Sequence, residues 1–212
     1  MTRSNRWLWT LFQFILRMSC VLVFRFRAFG ASRIPSHGGV LLVSNHQSYL
    51  DPVILSLAPG RMMSYMARRS LFRNPVFGGF LRAVNAFPVT RSGRDIGALR
   101  EGIQRLQFGA CLIVFPEGTR TSDGEIASLR SGALMMAARA GVPVVPAVVE
   151  GAFQAWPKGR LPKRHSIWVG YGDPIDPRDV RQMKRDALMA RIHAEMIRLQ
   201  TDLRQRMVRA LT

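Results

Sequence analysis

The class of fold follows from residues 40–52, which read Val40-Leu41-Leu42-Val43-Ser44-Asn45-His46-Gln47-Ser48-Tyr49-Leu50-Asp51-Pro52. The uninterrupted apolar run 40–43 predicts a buried strand. Ser44 and Asn45 form turns readily, and the pair Asp51-Pro52 predicts a helix with Asp51 as N-cap and Pro52 at the first helical position. A strand that leads directly into a helix is the repeating unit of an α/β fold.

A histidine and a carboxylate share the loop between this strand and this helix. Five residues apart on one helix, His46 and Asp51 would diverge by about 140°, but a loop that curls back on the helix start can bring them together. An imidazole that titrates near neutrality and is oriented by a carboxylate is suited to general-base catalysis. The alternative is a loop histidine beside an ordinary N-cap, and this stretch alone does not decide between the two.

Composition limits the number of domains and the kind of partner. The chain has 212 residues, 48% of them hydrophobic, which is enough for one sizeable domain with a core. Its formal net charge of +18 implies an anionic partner: nucleic acid, anionic lipid or an acidic substrate carrier. Cys20 and Cys111 lie far apart in apolar stretches without metal-ligand spacing, so we predict two buried thiols in a reducing compartment and no bound metal.

Residues 1–28 are predicted to form a membrane-associating helix that precedes the α/β domain at 29–212. The apolar stretch 7–24 is interrupted at Thr10, Gln13 and Arg17, which with Arg6 form one polar stripe at helical spacing. This pattern predicts an amphipathic helix that lies in the membrane interface. A single spanning helix is the alternative, and Arg17 at mid-span would cost it about 2.5–3.5 kcal/mol.

The rest of the chain alternates between predicted strands and predicted helices. Strands are predicted at 24–29, 40–43, 63–67, 87–90, 110–115, 142–149 and 166–169, the sixth with irregular pairing because it contains Pro143 and Pro146. Helices are predicted at 52–57, 74–84, 131–140, from Ser92 and Asp95 to Gly109, and continuously from Pro177 onward. The sequence therefore predicts an α/β fold with a mixed, largely parallel sheet flanked by helices and a C-terminal amphipathic helix.

Charged and polar side chains follow three of these strands. His46 follows one, Arg91 another, and Glu117 and Arg120 a third. Ligands of open α/β sheets bind at the carboxyl ends of the strands. We therefore expect a single cleft that holds a base, a carboxylate and two guanidinium groups.

Three runs resemble the membrane-bound glycerolipid acyltransferases, specifically the bacterial 1-acyl-glycerol-3-phosphate acyltransferases, and they appear in the family's order. They are Asn45-His46 with Asp51 (the HX4D motif), Phe115-Pro116-Glu117-Gly118-Thr119-Arg120, and Val142-Pro143-Val144-Val145-Pro146. Phe87-Pro88-Val89-Thr90-Arg91 is similar to the family's second block, and Leu129-Arg130-Ser131-Gly132 is similar to its basic step before a helix. The resemblance covers about residues 25–175.

The sequence departs from the family pattern at four positions. Asn85 stands where glycine is usual, and Thr90 stands where aspartate is frequent, which removes a local partner for Arg91. Arg68 and Arg130 stand where lysine is common, which keeps the charge and changes the hydrogen-bond geometry.

The resemblance implies transfer of a fatty acyl group from acyl-CoA or acyl-carrier protein to the hydroxyl of 1-acylglycerol-3-phosphate (lysophosphatidic acid), which gives phosphatidic acid. His46 and Asp51 would be the catalytic residues, and no cofactor is expected. The phosphate and glycerol would be bound by Arg91 of the second block and by residues of the run 115–120, which is the third block: Glu117, Gly118, Thr119 and Arg120. Further contacts would come from Asn45, Arg68 and Arg130. A structural ion pair with Arg120 is the alternative role of Glu117.

The resemblance also implies a membrane partner and a cellular location, and it leaves alternative acceptors and functions open. We expect association with anionic membrane lipids at the cytoplasmic face of a bacterial inner membrane. Other acceptors for the same chemistry are glycerol-3-phosphate, a lyso-ornithine lipid or another lysophospholipid. The alternative of a different class is a basic membrane- or nucleic-acid-binding protein without catalysis. The arginines of this chain are spread along its length and do not form a recognised nucleic-acid module, so nucleic acid is not the expected partner.

Overall fold

The computed structural model describes residues 15–90, 95–157 and 159–210, and seven strands within these ranges form one sheet. The strands are β1 (Arg27–Phe29), β2 (Val40–Ser44), β3 (Met63–Arg68), β4 (Ala86–Val89), β5 (Cys111–Val114), β6 (Val144–Glu150) and β7 (Trp168–Tyr171). Their order is β1-β7-β6-β2-β5-β3-β4, and each neighbouring pair is parallel except β6 and β7. The predicted mixed, largely parallel sheet is confirmed.

Helices cover both faces of the sheet, as the alternating sequence pattern predicts. They are α1 (Asp51–Ser56), α2 (Pro75–Ala83), α3 (Ile96–Gln107), α4 (Leu134–Ala140), α5 (Ala152–Ala155), α6 (Pro177–Gln182) and α7 (Arg185–Arg209). Short 3-10 turns lie at Ala31–Arg33, Arg69–Phe72 and Ser131–Ala133. Residues 15–24 are also helical.

The central strand β2 contributes to a separate core on each face of the sheet. Leu41 and Val43 pack into the core formed with α3, α4, α6 and α7, whereas Val40 and Leu42 pack into the core formed with α1 and α5. Alternate residues of a strand point to opposite faces, so a strand covered on both sides is apolar throughout. This explains the uninterrupted run from which the fold was predicted.

The N-terminal helix packs against the second core over the part of it that the structure describes. Cys20 is buried there with Phe26, and both predicted thiols, Cys20 and Cys111, are free and buried. In the described chain no helix is both long and apolar enough to cross a membrane. Most of the predicted polar stripe precedes residue 15 and lies outside the described residues, so the interfacial helix and its boundary at residue 28 stay predictions.

Two predicted features at the start of α1 are wrong. The N-cap of α1 is Leu50, Asp51 is the first helical residue, and Pro52 is therefore the second. Asp51 does not cap the helix because its carboxylate turns back and accepts the amide N–H groups of Gln47 and Ser48, which lie before the helix.

The C-terminal region also differs from the prediction. The continuous helix expected from Pro177 is two helices, because Met183 and Lys184 adopt extended backbone conformations between them. No glycine or proline marks this break; tertiary packing imposes it, since α6 and α7 both pack on the same core. The last strand was predicted at 166–169 and lies at Trp168–Tyr171, where Gly170 weakened the strand signal.

Other local predictions hold. Asn74 caps α2 by accepting the amide of Phe77, and Asp95 caps α3 by accepting the amide of Ala98; Ser92 lies outside the described residues. The irregular pairing predicted for β6 is confirmed, because its ladder with β7 begins only at Ala147 and a single bridge joins Val144 to Ile175 beyond Pro146. The C-terminal stripe Leu188, Ile192, Met196, Leu199 and Leu203 is buried in the first core, as predicted.

Candidate active site

The carboxyl ends of four parallel strands meet at one edge of the sheet, and the predicted site residues follow them. His46 lies two residues beyond β2, and Glu117 lies three residues beyond β5. Arg68 is the last residue of β3, and Thr90 directly follows β4. Parallel pairing therefore brings together residues that are far apart in sequence.

His46 and Asp51 form a directly bonded pair in the loop after β2. Nδ1 of His46 lies 2.7 Å from Oδ2 of Asp51. The same oxygen accepts the amides of Gln47 at 2.6 Å and Ser48 at 2.8 Å, so it acts as an acceptor. Nδ1 must then be the donor, and in the neutral ring this leaves Nε2 without a proton. The pair therefore holds the imidazole in the tautomer that a general base requires.

The environment of Asp51 is unusual for a carboxylate because the side chain is fully buried. Burial raises the pKa of Asp51, and the hydrogen bonds from His46, Ser48 and Gln47 offset part of that effect. The other oxygen, Oδ1, has no hydrogen-bond partner within the described residues. All polar contacts of this carboxylate thus pass through the oxygen that orients the histidine.

The loop after β5 fixes the backbone of His46. Glu117 Oε1 accepts the His46 N–H at 3.0 Å, and the Thr121 N–H donates to the His46 carbonyl at 2.8 Å. The ring of Phe115 stacks on the imidazole with centroids 4.1 Å apart and 18° between the planes. The ring orientation and the main chain of His46 are therefore both set by neighbours.

Glu117 is a buried carboxylate without a salt bridge to any of the described residues. Burial raises its pKa to about 7, against the lowering effect of the His46 and Ala127 amides. Its Oε2 and Nη1 of Arg120 are both buried without a hydrogen-bond partner in the described chain, so the alternative ion pair between these residues does not form. The contacts that the structure gives Glu117 are with backbone N–H groups, those of His46 and Ala127.

Two amide side chains anchor the histidine loop to its surroundings. Asn45 is buried and uses both amide atoms on Val149 of β6: Nδ2 donates to its carbonyl at 2.9 Å, and Oδ1 accepts its N–H at 2.8 Å. Gln47 is also buried; it donates to the Gly124 carbonyl and accepts the Phe153 N–H. The role of Gln47 was not predicted, since a glutamine inside a loop carries no periodic or spacing signal.

A cavity of about 690 Å³ opens beside His46. Its walls are mostly apolar, with two guanidinium groups among them. Arg68 and Arg130 line it together with His46 and Gly118, and the larger apolar lining residues are Met66, Val89, Ile96, Leu99, Ile113, Val114, Phe115, Met135 and Met136. A largely apolar space that is lined by two cationic side chains and a base fits an amphiphile that carries an anionic head.

Arg130 lies against the turn at Gly118. Gly118 has a φ of 74°, which favours glycine, and a Cβ there would be 3.3 Å from Cζ of Arg130. The backbone of Arg130 is also held, because its N–H donates to the Pro116 carbonyl at 3.0 Å. The run 115–120 and the basic step 129–132 therefore meet at this wall of the cavity.

Asp95 is the acidic group on the cavity wall. It accepts hydrogen bonds from the hydroxyl and the amide of Thr90 at 2.6 and 2.7 Å and from the amide of Ala98 at 2.9 Å. These bonds, the Thr90 hydroxyl foremost, hold the pKa of Asp95 at about 2. Thr90, at the position where the family often has aspartate, thus donates hydrogen bonds to the carboxylate of Asp95.

The remaining predicted residues lie apart from this cavity or outside the described chain. Cζ of Arg120 stacks 3.5 Å above the Tyr49 ring centroid, and Arg120 is not among the cavity-lining residues. Thr119 is exposed. Arg91 lies outside the described residues, and its role stays a prediction. Nowhere in the described ranges do three or more His, Cys, Asp or Glu side chains converge as a metal site.

Comparisons with known proteins identify similar chains. The model of a family described as Acyltransferase matches residues 25–150. A 1-acyl-sn-glycerol-3-phosphate acyltransferase from Streptococcus pneumoniae is 31% identical over 170 residues, which are 78% of this chain and 62% of that protein. A protein of the same name from Bacillus subtilis is 31% identical over 156 residues, 72% of this chain and 75% of that one.

A solved structure is similar over nearly the whole length. The crystal structure of the 1-acyl-sn-glycerophosphate (LPA) acyltransferase, PlsC, from Thermotoga maritima aligns with a TM-score of 0.80 and 26% identity. The alignment covers 96% of this chain and 84% of that chain. By sequence, this chain spans 37% of the length of a chloroplastic 1-acyl-sn-glycerol-3-phosphate acyltransferase from Arabidopsis thaliana and 75% of that of the Bacillus subtilis protein.

Proposed function

The chain belongs to the acyltransferase family, and we propose that it transfers a fatty acyl group from a thioester to the free hydroxyl of 1-acylglycerol-3-phosphate, giving phosphatidic acid. The names of its relatives support this acceptor. The donor in this proposal is acyl-CoA or acyl-carrier protein, and no cofactor takes part. We place the enzyme at the cytoplasmic face of a bacterial inner membrane, in contact with anionic lipids.

One observation carries the proposal: the His46 ring is held through Nδ1 by Asp51 and lines a largely apolar cavity with two guanidinium groups. Nε2 of His46 has no hydrogen bond to another group of the described chain, so it can accept a proton from a bound hydroxyl.

The proposed reaction proceeds by direct attack. Nε2 of His46 takes the proton of the acceptor hydroxyl as that oxygen attacks the thioester carbonyl carbon. The new C–O bond forms, the tetrahedral intermediate collapses, and the C–S bond breaks. The imidazolium returns its proton to the departing thiolate. Asp51 stabilises the imidazolium between these steps, and a base so placed contributes about 10²–10⁴-fold to the rate.

In this proposal the phosphate of the acceptor binds to Arg68 and Arg130 at the cavity rim. A guanidinium group can donate two parallel hydrogen bonds to phosphate oxygens. Arg91 and Arg120, with Gly118 and Thr119, are further phosphate or glycerol contacts expected from sequence. Glu117 and Asn45 act as positioning residues, through the His46 N–H and the Val149 backbone respectively.

The apolar cavity would hold an acyl chain. Its volume of about 690 Å³ is within the range of small-molecule sites, and its lining buries hydrocarbon against methionine and aliphatic side chains. The charge of +18 would attract both the anionic donor and the anionic lipid acceptor.

The test is an acyl-transfer assay with labelled acyl-CoA and labelled acyl-carrier protein against a panel of acceptors: lysophosphatidic acid, glycerol-3-phosphate, a lyso-ornithine lipid and other lysophospholipids. We expect wild type to acylate lysophosphatidic acid most efficiently, and His46→Ala to lose about 10²–10⁴-fold in rate. His37→Ala is the matched control because His37 is an exposed loop histidine. A His46→Ala enzyme with the rate of wild type would defeat the mechanism, and no turnover on any acceptor would defeat the function.

A further inference from the structure

The helix α2 carries its apolar face outward. Val76, Phe77 and Phe80 are 82%, 45% and 51% exposed, and their directions fall within about 100° of one another around the helix. Gly78 is the buried residue of α2, and it points in nearly the opposite direction. Leu71, in the turn before α2, is exposed as well. Soluble helices normally turn such a stripe toward the core, so this exposed surface requires a partner.

The surroundings of this apolar face are cationic. Between Asp51 and Asp95 the sequence contains seven arginines and no acidic residue. Arg69 and Arg73 of this segment, on either side of Leu71 in the chain, are exposed. A second copy of the chain would bring like charges together, whereas an anionic bilayer offers both opposite charge and a hydrophobic interior.

The face is also continuous with the cavity. The chain leaves the cavity wall at Arg68, forms the turn Arg69–Phe72 and α2, and returns to the wall at Val89. Because α2 leads from the carboxyl end of β3 toward the start of β4, its first turn, with Val76 and Phe77, lies at the edge of the sheet that carries His46. A surface that contacts α2 would therefore lie next to the cavity.

We infer that α2 and the turn before it form a membrane-docking surface, in which Leu71, Val76, Phe77 and Phe80 enter the interface of an anionic bilayer and the flanking arginines contact lipid head groups. The surface is separate from the predicted N-terminal helix. The inference rests on the proposed function only in that docking here would present a lipid acceptor to the cavity.

A fluorescent label at residue 80 of the full chain tests the inference directly. Cys20 and Cys111 are buried, so Phe80→Cys provides a selective site for an environment-sensitive dye. Phe108→Cys is the matched control, because Phe108 is 83% exposed at the opposite edge of the sheet, before β5. We expect the label at position 80 to move to an apolar environment with vesicles of phosphatidylcholine and phosphatidylglycerol, and the label at position 108 to stay in water.

Partitioning measurements provide the second readout. Phe77→Ser combined with Phe80→Ser is expected to lower the vesicle partition coefficient about tenfold or more, since the two half-exposed rings together offer the apolar surface of about one whole Phe. Phe108→Ser should leave it unchanged. Arg69→Gln with Arg73→Gln should reduce the dependence on phosphatidylglycerol, in contrast to Arg139→Gln with Arg178→Gln, which remove two exposed arginines of α4 and α6.

Equal responses of the labels at positions 80 and 108 to vesicles would overturn the inference. So would a shift at position 80 that depends on protein concentration without vesicles, because it would assign the face to a second copy. Acyl transfer is measured separately on a dispersed short-chain acceptor. If the enzyme is active but the label at position 80 does not respond to vesicles, the docking inference is wrong and the proposed function stands. If the label responds but no acceptor is acylated, the proposed function is wrong and the docking inference stands.

Discussion

The histidine side and the arginine side of the cleft are constructed differently. On the histidine side, the His46 ring, its N–H and its carbonyl all have partners, and Asp51, Asn45 and Gln47 are buried. On the arginine side, Arg68 and Arg130 are exposed at the cavity rim. A base must be positioned within a fraction of an ångström before the substrate arrives, whereas long cationic side chains can adjust to a bound phosphate.

This difference predicts that substitutions on the histidine side change kcat and those on the arginine side change KM. The largest effect is expected at Asp51. Asp51→Ala should lower kcat about 10³-fold, because it frees the imidazole and removes the charge beside the imidazolium. It should also lower Tm, since the buried N–H groups of Gln47 and Ser48 lose their acceptor, at a cost of about 1–3 kcal/mol each.

Asp51→Asn sharpens this prediction. Two backbone amides already point at the Oδ2 position, so they select the amide oxygen there, and His46 Nδ1 keeps an acceptor. Only the charge is lost, and we expect a smaller loss in kcat than for Asp51→Ala. Steady-state kinetics of the two variants beside wild type measure the difference. Equal losses in both would show that Asp51 acts through charge alone and contradict the positioning role.

Arg130→Gln and Arg68→Gln are expected to raise the KM for lysophosphatidic acid about tenfold each, with kcat changed much less. Charge-assisted hydrogen bonds contribute about 1.5–3 kcal/mol, which corresponds to tenfold or more in binding. Arg139→Gln is the control, because Arg139 is exposed on α4 and is not among the cavity-lining residues. If KM stays at the wild-type value in both variants, the phosphate binds elsewhere.

Arg120→Gln separates the two expectations for the third block. Sequence predicts a phosphate contact, whereas the structure gives Arg120 a stacking contact with Tyr49. Because the guanidinium group is outside the cavity lining, we expect a smaller increase in KM than for Arg130→Gln. An increase as large as that of Arg130→Gln would mean that the substrate contacts both residues.

The smallest kinetic effect is expected for Glu117→Gln, which can still accept the His46 N–H. Its main effect is on stability. The pKa of Glu117 is raised from 4.5 to about 7 in the folded chain, so between these pH values the folded state binds the extra proton and the free energy of unfolding falls as pH rises. Removal of the charge should flatten this slope and stabilise the protein at pH 8 by on the order of 2 kcal/mol. Denaturant unfolding at pH 5 and pH 8 measures this difference, and an unchanged slope would contradict it.

The fold could be predicted largely from the sequence, and the site only in part. Apolar runs such as 40–43 specify buried strands, and parallel pairing then places His46, Arg68 and Glu117 at one edge of the sheet. The direction of a side chain within a loop is not encoded in spacing, so Asp51 was predicted to cap α1 although it bonds the loop before the helix. The contact between Glu117 and the His46 backbone, and the insertion of Asn45 against Val149, also depend on tertiary packing that no local pattern specifies.

The position of the proton on His46 tests the central claim most directly. In ¹⁵N NMR spectra of histidine-labelled protein, with the His46 signals assigned from the His46→Ala variant, the neutral ring is expected to carry its proton on Nδ1 and to have an unprotonated Nε2. In Asp51→Ala the same ring should become a mixture of tautomers. A wild-type ring with its proton on Nε2 would contradict the account, because that nitrogen could not then accept the proton of the acceptor hydroxyl.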